Sequence, residues 1–291
     1  MRNGIVGAAT AMFLVGTLAG VSGLIGDYPL YGGQAVRYLV ASVILLVITR
    51  LLGLRFVRMT RREALCLGGL TLLGLAFFNI CVIESTRASG PALVGTVLGT
   101  VPLALALAGG RPAPRLLLGA GIVVTGATLA TGLGSGNATG LLWALGALVG
   151  EVSFSMLAIP LLPRLGPIRV SAYSTALAVP MLAVVGLVHE GTGMLRVPTV
   201  PEALGFAYLA IVVTVVAFFL WYHSLPKLGP GRAGLFAGLI PVAAIVTGVV
   251  LGVAVPSAYD LLGAGLVVVG ILVGLTAERS GTKAAVRPSE A

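Results

Sequence analysis

Two stretches of this chain repeat each other. Leu117-Leu118-Gly119-Ala120-Gly121-Ile122-Val123-Val124-Thr125-Gly126 returns 144 residues further on as Leu261-Leu262-Gly263-Ala264-Gly265-Leu266-Val267-Val268-Val269-Gly270. Upstream, Gly90-Pro91 with Pro102 returns as Gly229-Pro230 with Pro241, at a constant offset of 139. A weaker echo links Leu14-Val15-Gly16 to Leu148-Val149-Gly150, 134 residues apart. The offsets drift as loop insertions would make them, while the order of landmarks holds. The chain therefore reads as two copies of one unit, residues 1–136 and 137–278. A polar tail over 279–291 is expected to be disordered and cytoplasmic. Internal duplication in a hydrophobic chain points towards a secondary transporter.

Composition sets the solvent. Hydrophobic residues make up 58% of the chain and charged residues only 9%. A soluble domain carries about 25% charged residues, so this chain cannot cover a surface with water. In a bilayer the backbone must be satisfied by helices or by a closed barrel. Long apolar runs without alternation select helices. The 42 glycines fit a bundle in which small residues let helices approach closely.

We place ten apolar helices at about 4–26, 34–52, 64–86, 91–109, 115–133, 139–161, 168–189, 203–222, 231–252 and 259–277, each near the ~20 residues that a span needs. Arg2 with the apolar run behind it resembles a signal peptide. The run continues to about Gly26 and many spans follow, so it reads as a first, retained helix. With the N-terminus in the cytoplasm, 15 of the 18 Lys and Arg residues fall inside. Arg50, Arg55, Arg58, Arg61 and Arg62 lead that set, and only Arg37, Arg87 and Arg196 lie at outer ends. That asymmetry places both termini in the cytoplasm. Five helices per copy is an odd number, so the second copy starts from the other side. The expected architecture is an all-α membrane protein with two inverted five-helix repeats, an arrangement that supports alternating access to a midplane site.

The net charge of +9 does not indicate nucleic acid, because the basic residues sit between spans rather than in one block. Cys66 and Cys81 make no metal or redox pattern and read as small buried apolar residues. No hydrolase elbow, zinc-protease helix, phosphate loop or dinucleotide fingerprint occurs. No catalytic set, metal site or cofactor is expected.

Several residues stand out at membrane depth. Glu151 lies halfway along the sixth helix with no charged residue within ten positions. A charge at the bilayer centre costs at least ~2.5 kcal/mol, so such groups face a cavity or a partner. It reads as a proton-coupling carboxylate or a ligand for a substrate amine, against a structural Glu bonded to a neighbouring helix. Arg37, about one turn inside the second helix, reads as a ligand for a substrate carboxylate, a partner of Glu151 or Asp27, or an arginine that snorkels to the interface. Asn79, Ser153 and Ser155 either line the cavity or bond between helices. Trp143, Phe154, Phe218, Trp221 and Tyr222 form an aromatic wall or, near helix ends, anchor at the interface. Glu84 and Arg87 have the spacing of a surface ion pair. His223 is the repeat counterpart of Glu84, and His189 with Glu190 reads as a solvated helix end. Pro102 and Pro241 interrupt the fourth and ninth helices at matching positions, which marks candidate gates. Gly146 with Gly150, and Gly16 with Gly20, allow the sixth and first helices to pack closely.

The combination of features resembles the EamA-type proteins of the drug/metabolite transporter superfamily. The resemblance rests on Gln34-Ala35-Val36-Arg37-Tyr38-Leu39 opening the second helix, and on the paired Gly-Pro starts with Pro102 and Pro241. Tyr222-His223-Ser224-Leu225 through Ala237, and the two Leu-Leu-Gly-Ala-Gly helices, complete it. It implies an inner-membrane, multi-pass transporter of a small organic solute such as an amino acid, metabolite or drug-like compound. Export is the commonest direction, and membrane lipids and coupled protons are the expected partners. It also implies a central cavity lined by helices one to four and six to nine, with five and ten peripheral. Glu151 and Glu84 depart from the family, whose members carry small or apolar residues there. The alternatives are an uncoupled facilitator, a lipid flippase, and a non-transport membrane scaffold or enzyme.

Overall fold

The structure is a computed structural model and describes residues 1–132, 136–252 and 255–276. The proposed tail, 279–291, lies outside the described residues, as do the last positions of the expected helices 115–133 and 259–277. Among the described residues the fold is helical and has no strand. The main helices are α1 (Arg2–Gly16), α2 (Leu30–Leu51), α3 (Arg61–Ser89), α4 (Pro91–Ala108) and α5 (Pro114–Thr131), then α6 (Ala138–Met156), α7 (Leu162–Glu190, broken at Gly166, where φ is +73°), α8 (Val200–Leu228), α9 (Pro230–Val250) and α10 (Ala258–Leu275). Nine of these, α2 to α10, are long and apolar enough to cross a membrane.

The expected first span is divided. α1 stops at Gly16, and the chain continues as a short helix Leu18–Val21 and a 3-10 turn Ser22–Ile25. Thr17 stands at the break. Its hydroxyl donates to Leu14 O at 2.6 Å and lies 2.8 Å from the Tyr208 hydroxyl. A side chain bonded back to its own helix competes with the backbone ladder.

Helix two begins at Leu30 rather than at 34. Pro29 fixes its entry, and the Glu190 carboxylate accepts from the backbone N–H groups of Tyr31 (3.0 Å) and Gly32 (2.9 Å). An anion at a helix N-terminus satisfies donors that have no partner within the helix. Glu190 is thus a long-range cap, not a solvated end.

Helices three and eight each contain a π-helical segment, Leu70–Phe77 and Leu209–Val216, positions 139 residues apart. Each begins with a capping box, Thr60 with Glu63 and Thr199 with Glu202, again 139 apart. Helices four and nine both start at a proline that follows a glycine with φ near +75°, Gly90 and Gly229. Only glycine adopts that conformation at no steric cost.

The packing crosses the midpoint of the chain. α2 lies along α7, α3 along α6, α1 along α8 and α9, and α5 along α10. At the last contact a Cβ on Gly126 would stand 2.6 Å from Gly263 O, and one on Gly119 would stand 2.7 Å from Gly270 O. The two helices therefore run antiparallel with backbones touching. Gly150 and Gly146 face α3, where Leu73 O and Cys81 Sγ leave no room for a Cβ. Gly16 faces α9 in the same way. The outer surface is apolar: Leu51 is 80% and Val188 74% exposed, as lipid-facing residues are in a bilayer.

Candidate functional site

Helices one, two, three, four, six, eight and nine enclose a cavity of about 320 Å³. α5 and α10 contribute nothing to its wall, as the family resemblance implies. α7 was expected there and is absent from the lining. It packs along α2, so α2 alone presents its residues to the cavity at that position.

The apolar wall is Met12, Phe78, Phe154, Phe218 and Trp221 among others. Phe154 and Phe218 stand 4.9 Å apart between ring centres, and Phe154 and Tyr222 5.0 Å. Trp221 and Tyr222 are 2% and 0% exposed. Neither residue is placed to anchor at an interface; Trp221 lines the cavity and Tyr222 does not. Trp143 is half-buried beside the small cluster around Cys81.

The charged and amide side chains that reach the cavity are Gln34, Arg37, Asn79 and Glu151. Arg37 is buried and does not snorkel. Its Nε donates to Thr214 Oγ1 at 2.8 Å, its Nη1 to Gln34 Oε1 at 3.3 Å, and its guanidinium lies 5.4 Å from the centre of the Tyr38 ring. Among the described residues it makes no ion pair, with Glu151, with Asp27 or otherwise. Thr214 in turn donates to Leu209 O, five residues back, at 2.9 Å. That carbonyl is reached because the segment is π-helical, and a π-turn inside an α-helix is often a functional feature. On the opposite side, Asn79 follows the other π segment. Its Nδ2 donates to Leu75 O at 2.7 Å and to the Tyr38 hydroxyl at 3.1 Å. Consecutive residues of α2 are thus held by polar groups of α8 and α3.

Glu151 lines the cavity, and among the described residues its carboxylate has no hydrogen bond and no ion pair. The Tyr222 hydroxyl lies within its electrostatic reach and has no hydrogen-bond partner of its own. Tyr222 is behind the wall rather than on it. Ser155 is also outside the lining: it is fully buried, and it accepts from Trp221 Nε1 at 3.2 Å. Its place is to hold a wall residue.

Pro102 and Pro241 do not line the cavity, but they sit beside breaks that do. Helix four stops at Leu98 and resumes at Val101, and helix nine passes through a 3-10 turn at Leu235–Gly238. A proline has no N–H for the carbonyl four residues back. Those residues are Leu98 and Ala237, and both face the cavity.

The remaining candidates are peripheral. Glu84 accepts from Arg87 at 2.8 Å, the expected ion pair, and also from the Tyr31 hydroxyl at 2.5 Å. His223 is exposed, stacks on Phe219 and contacts Lys227. Cys81 is fully buried and Cys66 half-buried. Among the described residues no His, Cys, Asp and Glu group could hold a metal.

Residues 138–276 match the EamA-like transporter family. The uncharacterized transporter YetK of Bacillus subtilis (strain 168) is 26% identical over 260 residues, 84% of this chain and 79% of that protein. The second half of the chain belongs to the EamA-like transporter family. The protein is a multi-pass membrane protein of a transport family, which is not an enzyme class. A solved crystal structure matches this chain with a TM-score of 0.81 at 21% identity, over 94% of this chain and 96% of the other. That likeness concerns the fold.

Tyr38 on the cavity wall, and Thr214 behind Arg37, are residues that sequence reasoning left without a role. The signal for Thr214 was its position, a lone hydroxyl in the run Leu209–Val216. Replacing it by valine removes the acceptor from a buried charged donor, which costs about 1–3 kcal/mol. Thr214→Val is expected to lower the melting temperature of the detergent-solubilised protein, and Thr214→Ser to restore it.

Proposed function

We propose that the protein is an inner-membrane secondary transporter that exports a small organic solute in exchange for protons by alternating access. In this reading ten helices span the bilayer and both termini are cytoplasmic. Residues 1–136 and 137–278 form two inverted halves. The antiparallel contacts of α5 with α10, and the features repeated at an offset of 139, support the inverted arrangement. Glu151 carries the proton or a substrate amine, and Arg37 is the cationic partner. Asn79 shapes the site, and Ser155 and Tyr222 support its wall from behind. The breaks at Pro102 and Pro241 are the flexible points of the gates. Its partners are the solute, protons and membrane lipids, with no nucleic acid.

The observation that carries this reading is Glu151, a carboxylate on a cavity between the halves without a protein partner among the described residues. Ionisable groups at membrane depth mark substrate or ion pathways. The cavity volume lies at the small end of the range for small-molecule sites, which favours a metabolite over a two-chain lipid. A stability screen tests the proposal with amino acids, cationic drugs, sugars and nucleosides at acidic and neutral pH. A ligand at 100 times its dissociation constant adds about 2.7 kcal/mol. Stabilisation by one solute class that changes with pH is expected. Stabilisation by phospholipids alone would favour a flippase instead.

A further inference from the structure

α7, with the turn before its break at Gly166, holds the start of α2 and the segment that follows it. At the start of α2, the Glu190 carboxylate holds the N–H groups of Tyr31 and Gly32 at 3.0 and 2.9 Å. The loop after α7 adds to this end. Arg196 reaches Asp27 O at 3.3 Å and lies 4.9 Å from the Tyr28 ring centre, while the Tyr28 hydroxyl donates to Arg196 O at 2.8 Å. Glu202 fixes Arg196 through an ion pair. Beyond the other end of α2, Arg169 Nε donates to Arg55 O at 3.1 Å, and Arg164 contacts Arg58 O. Arg164 also pairs with Glu63 at 3.2 Å. The chemistry is matched: an anion meets donors at one end, and cations meet carbonyls at the other. α2 has 22 residues, about 33 Å of helix, and the clamps lie at its start and beyond its end. Between them, Arg37 and Tyr38 stand beside the cavity.

We infer that these clamps are the two gates of the transport cycle. Glu190 with Arg196 closes the cavity at the Leu30 end, and Arg164 with Arg169 closes it at the Leu51 end. This rests on the alternating-access reading above. Rocking one half against the other parts the halves at one end only. Each clamp joins the second half to the first, so one must open while the other stays shut. Both are made in this structure. The links are charged hydrogen bonds to backbone atoms, and each of them is broken without unfolding a helix.

The test is the sidedness of thiol labelling, which needs no known substrate. Val15, half-buried on the cavity, becomes the reporter as Val15→Cys in a Cys66→Ala, Cys81→Ala background. A charged, membrane-impermeant maleimide is applied to sealed right-side-out and inside-out vesicles. Glu190→Gln is expected to raise the labelling rate from the Leu30 side about tenfold, the shift for loss of one charged hydrogen bond. Arg164→Gln with Arg169→Gln is expected to do the same from the Leu51 side. Should Glu190→Gln not fold, Arg196→Gln tests the same gate. Unchanged rates, or equal rises from both sides in each variant, overturn the gate assignment. A parent protein that labels from one side only, however long the exposure, instead overturns alternating access.

Discussion

Glu151→Gln is expected to abolish the response of solute flux to an imposed pH gradient while leaving the fold intact. The substitution keeps the shape of the side chain and removes only its ability to bind and release a proton. Among the described residues Glu151 makes no hydrogen bond or ion pair, so the amide breaks nothing. It also removes a charge that is costly at membrane depth, and the melting temperature should hold or rise. The measurement is flux of the solute found by the stability screen into proteoliposomes, with and without a gradient. If Glu151 instead binds a substrate amine, the variant loses affinity and keeps its pH response. Flux that responds to pH as in the parent removes Glu151 from the coupling role.

The largest loss of stability is expected from Gly126→Leu. At Gly126 the backbone of α10 lies against α5, with Gly263 O and Val267 N 2.6 and 2.8 Å from where a Cβ would stand. These neighbours are backbone atoms and cannot rotate aside. The helices must separate, and membrane helices associate chiefly through such close packing. Overpacking a tight contact costs about 1–3 kcal/mol. Gly121→Leu is the control on the same helix, since nothing lies within 4 Å of its Cβ position. Thermal denaturation in detergent should show a clear drop for the first variant and almost none for the second. Neither residue lines the cavity, so the solute that stabilises the parent should stabilise both. Equal melting temperatures for the two variants would refute the contact.

Much of this molecule was legible in the chain because the bilayer simplifies the code. Apolar runs bounded by arginine, glycine and proline gave helices two to ten, with ends shifted by no more than two turns. Glu151 was visible as a lone charge in an apolar run, and the structure puts it on the cavity. What the chain hid was decided at long range. Helix two starts early because Glu190, 159 residues from Tyr31, caps it. The π segments add no composition signal, since Leu, Val and Ala suit either winding. Ser155 and Tyr222 lie off the cavity wall, because their burial behind Trp221 and Phe154 depends on how α6 meets α8. The partner of Arg37 proved to be a neutral threonine, and charge counting could not find it.

Packing across the midpoint also sets the order in which the protein is completed. Arg37 enters the membrane with the second helix, but Thr214, which receives its Nε proton, is synthesised 177 residues later. Five further helices, α3 to α7, are made in between. During that interval the guanidinium must find lipid headgroups or water. Helix two meanwhile lacks α7, its main neighbour, and the Glu190 that caps it. The chain emerges N-terminal part first, so its first half reaches the bilayer before its packing partners exist. The late helix α8 thus completes the polar site, and α7 completes the packing of α2.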